Sequence, residues 1–184
     1  MLRAMAALEP VEASGPLETL RLFVNTIDLP EGPDQLATPA EASAWCRAHD
    51  LPPPTNRLQT QRLRDFREAM RGVLFANNGE LDPQAAWAAL EPYVRGAKLA
   101  MVLRNDAPVL LPAVGGADAT VAALLAIMYD AMLRGTWSRL RACRKSTCRF
   151  AYFDRSKNGS RAWCSMATCG NREKAQRRRQ REHA

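Results

Sequence analysis

The chain has 184 residues, 47% of them apolar and 24% charged. That balance belongs to a globular protein and excludes full disorder, a collagen repeat or a coiled coil. The net charge of +7 is made of two unlike parts. Residues 1–133 carry 11 Lys/Arg against 16 Asp/Glu, net −5, whereas residues 134–184 carry 15 against 3, net +12. Such asymmetry suggests a polyanion-binding module joined to something else. Arginine outnumbers lysine 22 to 4, which favours bidentate contacts to phosphate or guanine and is also what a GC-rich genome produces.

There is no run of 18 apolar residues, the longest stretch being Val121 to Tyr129, so no membrane partner is expected. Residues 1–16 read as a flexible leader with Pro10, Gly15 and Pro16. They lack the apolar core of a signal peptide, which makes a cytoplasmic location the expectation.

A first helix is expected over Leu17–Leu29, where Leu17, Leu20, Val24 and Ile27 fall at helical spacing. Asn25 and Thr26 interrupt its apolar face, either as helix-end hydrogen-bonding groups or as a pocket wall. Thr38-Pro39-Ala40-Glu41 carries the N-cap, first-turn proline and third-position glutamate of a helix start. That helix extends to about His49 and carries Cys46, read as a small buried side chain. Thr55 opens a long helix to about Ala76, with Leu58, Leu63, Phe66, Met70, Val73 and Leu74 as its buried stripe, closed by Asn77-Asn78-Gly79. Asp82-Pro83 starts a helix reaching about Leu90. The period then changes: two β-favouring runs within residues 98–112 flank Asn105-Asp106 and read as a hairpin. After Gly115-Gly116, Asp118 to Leu133 is an apolar helix central to the core.

Four of the five cysteines, Cys143, Cys148, Cys164 and Cys169, form a C-x4-C-x15-C-x4-C pattern. In a cytoplasmic chain a metal site is favoured over two disulfides, and four thiolates suit one Zn²⁺ held in a tetrahedron. The ion and its thiolates lower the local charge from +12 to about +10. A segment of about 50 residues builds little core of its own, so the metal is expected to supply much of its folding energy, roughly 10–16 kcal/mol in zinc-finger peptides. Between the cysteine pairs, Lys157-Asn158-Gly159 is read as the turn of a hairpin. Beyond Cys169 the run NREKAQRRRQREH is a basic helix without an apolar stripe. The expected fold is therefore α+β: a mainly helical N-terminal domain (17–135) with a β-hairpin, then a small treble-clef-like zinc finger (136–184) with a basic C-terminal helix.

Four segments, CRKSTC (143–148), FDRSKN (153–158), RAWCSM (161–166) and CGNREK (169–174), closely resemble the CGNR zinc-finger family. LFVNT (22–26) and LATP (36–39) resemble the ABATE domain that usually precedes this finger. The resemblance implies a bacterial, stress-related transcription regulator whose finger contacts DNA.

Binding to nucleic acid, with double-stranded DNA as the first expectation, draws on two groups of residues. Arg172, Lys174, Arg177, Arg178, Arg179 and Arg181 lie within ten positions and sweep around a helix, leaving no face reserved for packing. In the segment between the cysteine pairs, Arg155, Lys157, Ser160 and Arg161 are candidate phosphate contacts. Asn171 and Arg172 either read bases or brace the zinc knuckle, and Asp154 is read as an internal partner for an arginine. Phe150, Tyr152, Phe153 and Trp163 either form the finger's small core or stack on single-stranded RNA. An RNA-binding zinc protein is thus the second reading, and a thiol/zinc redox switch acting as a protein-interaction module is the third. No catalytic site is expected: His49 and His183 are the only histidines, His49 suits a helix-end cap, and no nucleophile or phosphate-loop motif occurs. The N-terminal domain is expected to sense an unknown small-molecule effector or to form a homodimer.

Overall fold

The computed structural model describes residues 13, 15–27, 29, 32–173, 175 and 179. The expected leader, apart from Ala13, Gly15 and Pro16, lies outside the described residues, as does His183. Among the described residues, five α-helices form the N-terminal part: α1 (Pro16–Val24), α2 (Pro39–Ala48), α3 (Arg57–Ala76), α4 (Pro83–Gly96) and α5 (Gly116–Leu133). An antiparallel pair, β1 (Leu99–Arg104) and β2 (Ala107–Pro112), lies between α4 and α5. A 3-10 turn (Trp137–Arg139) then leads into a second antiparallel pair, β3 (Leu140–Ala142) and β4 (Ala151–Phe153).

The helix starts follow local chemistry. Thr38 closes a full capping box with Glu41, Asn56 caps α3 through the Gln59 amide, and the Asp82 carboxylate accepts from the amides of Gln84 and Ala85. His49 ends α2 as expected, its Nδ1 2.8 Å from the Trp45 carbonyl and its ring stacked on Trp45 at 4.1 Å. Four boundaries differ from the sequence reading. Helix α5 begins at Gly116 rather than Asp118. Helix α1 stops at Val24 rather than Leu29, because Ile27 leaves the helix to bridge Asp34. Helix α3 starts at Arg57, slightly later than Thr55 suggested. Helix α4 continues through Pro92 to Gly96 instead of ending near Leu90.

The core is organised around α5, which packs on α1, α3, α4 and β2. This helix is long and apolar enough to match a membrane span by length and composition, yet half of it is buried inside the protein. Phe23, Trp45, Phe66 and Tyr93 form a chain of rings at 5.2–5.7 Å. Leu58, expected in the buried stripe of α3, is instead exposed, whereas Leu63, Phe66, Met70, Val73 and Leu74 are fully buried. Cys46 is buried as expected, and burial pushes its thiol pKa up.

A buried ionic link runs behind α1. Arg67 holds Asp34 with two hydrogen bonds of 2.6 and 2.9 Å and also reaches Thr26 Oγ1. Burial pushes the Asp34 carboxyl up, but Arg67, the Leu36 amide and Arg64 together outweigh it and hold the pKa below the ordinary value. Thr26 Oγ1 donates to the Phe23 carbonyl, the helix-end role considered for it.

The second strand pair is not a separate tether. Trp137, Leu140, Ala142 and Ala151 belong to the same buried cluster as the helices. The zinc-finger segment therefore starts inside the helical core.

Candidate metal centre and its surroundings

Strands β3 and β4 flank the first cysteine pair. The amide of Cys143 donates to the Phe150 carbonyl, so the ladder closes directly on Cys143 to Cys148. Within that loop the amides of Cys148 and Arg149 both donate to the Lys145 carbonyl, and Arg149 takes a left-handed φ of 49° to complete the turn. In the second pair, Cys164 directly precedes Ser165, which caps a π-helical turn (Met166–Gly170) that carries Cys169; the Ser165 Oγ accepts from the Thr168 amide. A Cβ on Gly170 would lie 2.7 Å from the sulfur of Met166, a flexible side chain packed over the turn.

The four sulfurs of Cys143, Cys148, Cys164 and Cys169 all lie within 4.8 Å of one another. Cys148 to Cys164 is 3.7 Å and Cys164 to Cys169 is 3.8 Å. A tetrahedron with zinc–sulfur bonds of about 2.3 Å has edges of about 3.8 Å, so these two pairs stand at the separation the ion requires and the others lie within 4.8 Å. None of the four is in a disulfide. Hydrogen bonds from Cys148 and Cys164 hold the Cys143 thiol down to about 2, with the amides of Cys164 and Lys145 adding to the effect. That first charge then works against the others: Cys148 is pushed up to about 12 and Cys164 higher still, each first by its hydrogen bond to Cys143. Four neighbouring thiolates in a buried site need a cation among them, and a divalent, sulfur-seeking ion supplies it. With four protein ligands no coordination position is left for a substrate, which fits a structural site.

The finger's rings serve as core. Tyr152 is 2% exposed and packs with Cys143, Cys164 and Cys169, with Phe150 and Trp163 against them, while Phe153 packs on the helical core. The segment around Lys157-Asn158-Gly159 does not form the expected hairpin. Only β4 is extended there, and its partner is β3, on the other side of the first knuckle. The reason is a side-chain framework that replaces a ladder. The buried Asp154 carboxylate accepts from the amides of Ser156 and Arg161 and faces Arg141 at 3.4 Å. Arg139 donates to the Ser156 carbonyl at 2.5 Å.

Arg155, Lys157 and Ser160 are exposed in this segment. Arg161 is half-buried, and its guanidinium lies against the Tyr152 ring and donates to the carbonyls of Trp163 and Cys164. That engages it in holding the second knuckle. Ser160 and Arg161 meet Trp163, Ser165 and Met166 around an open concavity of about 690 Å³ beside the cysteine cluster. Residues 171–173 continue helically from the π turn, with Asn171 and Arg172 exposed, and Arg179 is exposed further along. Lys174, Arg177, Arg178 and Arg181 lie outside the described residues.

A group of asparagines ties the two parts together. Asn25 brackets β4 at Ala151, donating to its carbonyl at 2.8 Å and accepting from its amide at 2.7 Å. Asn77 donates to the Leu140 carbonyl at 3.0 Å. Asn78, 5% exposed, reaches the carbonyls of Ala142 and Ala162 at 2.8 and 2.9 Å and the Tyr152 hydroxyl at 3.3 Å. Arg71 joins them from α3 by donating to the Arg149 carbonyl at 3.0 Å. The doublet Asn77-Asn78 is visible in the sequence as a helix stop, but nothing local marks it as a clamp.

Among curated proteins no relative matches this chain. Two family models do. Residues 139–182 match the CGNR zinc finger, and residues 22–135 match ABATE, described as "Putative stress-induced transcription regulator". The chain belongs to the ABATE family, with a CGNR zinc finger following its ABATE domain.

Proposed function

We propose that this chain is a zinc-dependent, DNA-binding transcription regulator of the cytoplasm, acting by binding rather than by catalysis. The observation that carries the reading is where the cationic C-terminal segment begins. A rigid four-cysteine cluster fixes the start of a helical stretch whose first residues, Asn171 and Arg172, are exposed. The zinc holds the finger's shape, and the segment it launches supplies phosphate contacts from Arg172 onward. Lys157 and Ser160 extend that cationic and polar surface on the finger's other loop. Burial of Tyr152, with Phe150 and Trp163 partly buried against it, supports duplex DNA over single-stranded RNA, whose recognition relies on exposed rings.

The test is a competitive selection from random duplex DNA and random RNA with zinc-loaded protein, followed by salt titration of the enriched ligand. A shared duplex motif is the expected outcome. Replacing Arg177, Arg178 and Arg179 together with Ala should weaken binding to every sequence and flatten the salt slope, by about 0.9 for each phosphate no longer neutralised. Enrichment of single-stranded RNA, or an unchanged slope, overturns the reading.

A further inference from the structure

We propose that Asn78, in the turn that ends α3, is a positioning residue of the metal centre, so that the helical domain sets the finger's affinity for zinc. The inference goes beyond the DNA-binding reading and does not depend on it.

The two cysteine pairs lie on separate segments, and a tetrahedral site needs those segments held at one separation. Strands β3 and β4 brace the first pair. A main-chain bond from the Arg144 amide to the Ala162 carbonyl, at 3.0 Å, joins the first segment to the second. Asn78 adds a tie from outside the finger. Its side-chain nitrogen carries two hydrogens and lies 2.8 Å from the Ala142 carbonyl and 2.9 Å from the Ala162 carbonyl. Ala142 directly precedes Cys143, and Ala162 is two residues before Cys164. One planar amide thus sets the spacing between a ligand-bearing segment of each pair.

The finger grips the same turn in return. Arg144, which follows Cys143, donates to the Asn78 carbonyl at 3.1 Å and pairs with Glu80. Asn78 is buried, so bulk water has little access to replace it. The other two asparagines hold different places. Asn77 donates to the Leu140 carbonyl, and Asn25 brackets Ala151. Leu140 and Ala151 each lie three positions from the nearest cysteine, on strands packed in the helical core. Those two attach the finger, whereas Asn78 reaches both of its cysteine-bearing segments.

Groups that orient metal ligands without touching the ion change metal affinity by about 10–100-fold when removed. In a site whose binding free energy is also folding free energy, the order that Asn78 imposes adds directly to affinity. Asn78 takes its own position from the helices, because α3 runs into the Asn77–Asn78 turn and packs on α1, α4 and α5. A displacement of the end of α3 therefore changes the spacing at Ala142 and Ala162, and with it the hold on the ion. By linkage, zinc in the finger favours the arrangement of α3 that places Asn78 correctly.

The test needs no nucleic acid. Zinc affinity of the full chain is measured by competition with a chromogenic chelator. The visible spectrum of the cobalt-substituted chain is recorded beside it, since its ligand-field bands report the shape of a four-thiolate site. Asn78→Ala should bind zinc about 10–100-fold more weakly, at unchanged stoichiometry and with shifted cobalt bands. Asn78→Ser keeps one donor for two carbonyls; it should move both readouts the same way, and it decides the matter if the alanine variant does not fold. Asn25→Ala and Asn77→Ala should lower the melting temperature yet weaken zinc far less and leave the cobalt bands in place. Wild-type zinc affinity in a folded Asn78 variant overturns the proposal. An equal loss in all three alanine variants, with no spectral change, overturns it as well, because Asn78 would then be an anchor like the other two.

Discussion

At the scale of single residues, the informative side chains are three asparagines and one aspartate, none of them a metal ligand. Asn78 spends its amide group on oxygens that belong to both cysteine-bearing loops, since Ala142 precedes Cys143 and Ala162 lies two residues before Cys164. Its own carbonyl accepts from Arg144 at 3.1 Å. The Ala162 carbonyl also accepts from the Arg144 amide, but removing Asn78 takes away the donor to the Ala142 carbonyl, and a buried carbonyl left unsatisfied costs about 1–3 kcal/mol. Asn78→Ala should therefore lower the unfolding free energy of the zinc-loaded protein by about 2 kcal/mol. Asn78→Asp should do worse despite its closer shape, because it aims a carboxylate at two carbonyls and a phenol oxygen. Denaturant titration of the two variants checks the order, and an Asp variant as stable as the Ala one would mean that packing alone, and no donated hydrogen bond, is at stake. Asp154 does the same work inside the finger, where its carboxylate replaces a strand ladder.

At the scale of elements, local chemistry and long-range chemistry were unequally legible in the sequence. Asn105-Asp106 predicted a hairpin and made one, because the flanking runs had only each other to pair with. Lys157-Asn158-Gly159 carried the stronger turn signal and made none, because Asp154 and Arg139 took up the backbone groups that a ladder would have used. The cysteine spacing disclosed the metal ligands outright, since four sulfurs in 27 residues leave few other arrangements. What the spacing concealed is the attachment of the finger. Asn25 and Ala151 are 126 positions apart, and no periodicity links them. This attachment has a consequence for metal removal. Leu140, Ala142 and Ala151 sit in the core that also holds α1, α3 and α5, so a finger that loses its zinc should loosen the helices as well. A strong chelator is expected to lower the melting temperature of the helical circular-dichroism signal, together with the loss of the near-ultraviolet signal of Tyr152 and Trp163. Helices that melt at the same temperature with and without zinc would show the two parts to be thermodynamically separate.

At the scale of the whole molecule, the +12 carried by residues 134–184 is not all available to a partner. Arg139 and Arg161 are engaged with backbone carbonyls of the finger, Arg141 faces Asp154, and Arg144 pairs with Glu80 from the helical domain. Arg149 lies over the Phe75 ring at 4.9 Å. These five arginines are the adhesive between strands, knuckles and helices, and an arginine held by several carbonyls gives little to a phosphate. In the sequence six further cations follow from Arg172 onward, so the acidic ABATE part and the basic end of the chain divide, with five arginines of the finger engaged between them. The two classes should separate by experiment. Arg139→Ala and Arg144→Ala should lower the melting temperature while leaving the salt slope of DNA binding intact, measured below the melting temperature of each variant. Arg172→Ala combined with Arg179→Ala should leave stability within about 0.5 kcal/mol, as surface substitutions usually do, and reduce the slope by up to about 2. If instead Arg139→Ala flattens the slope in a fully folded protein, the phosphate-binding face is the finger's loop rather than its C-terminal segment.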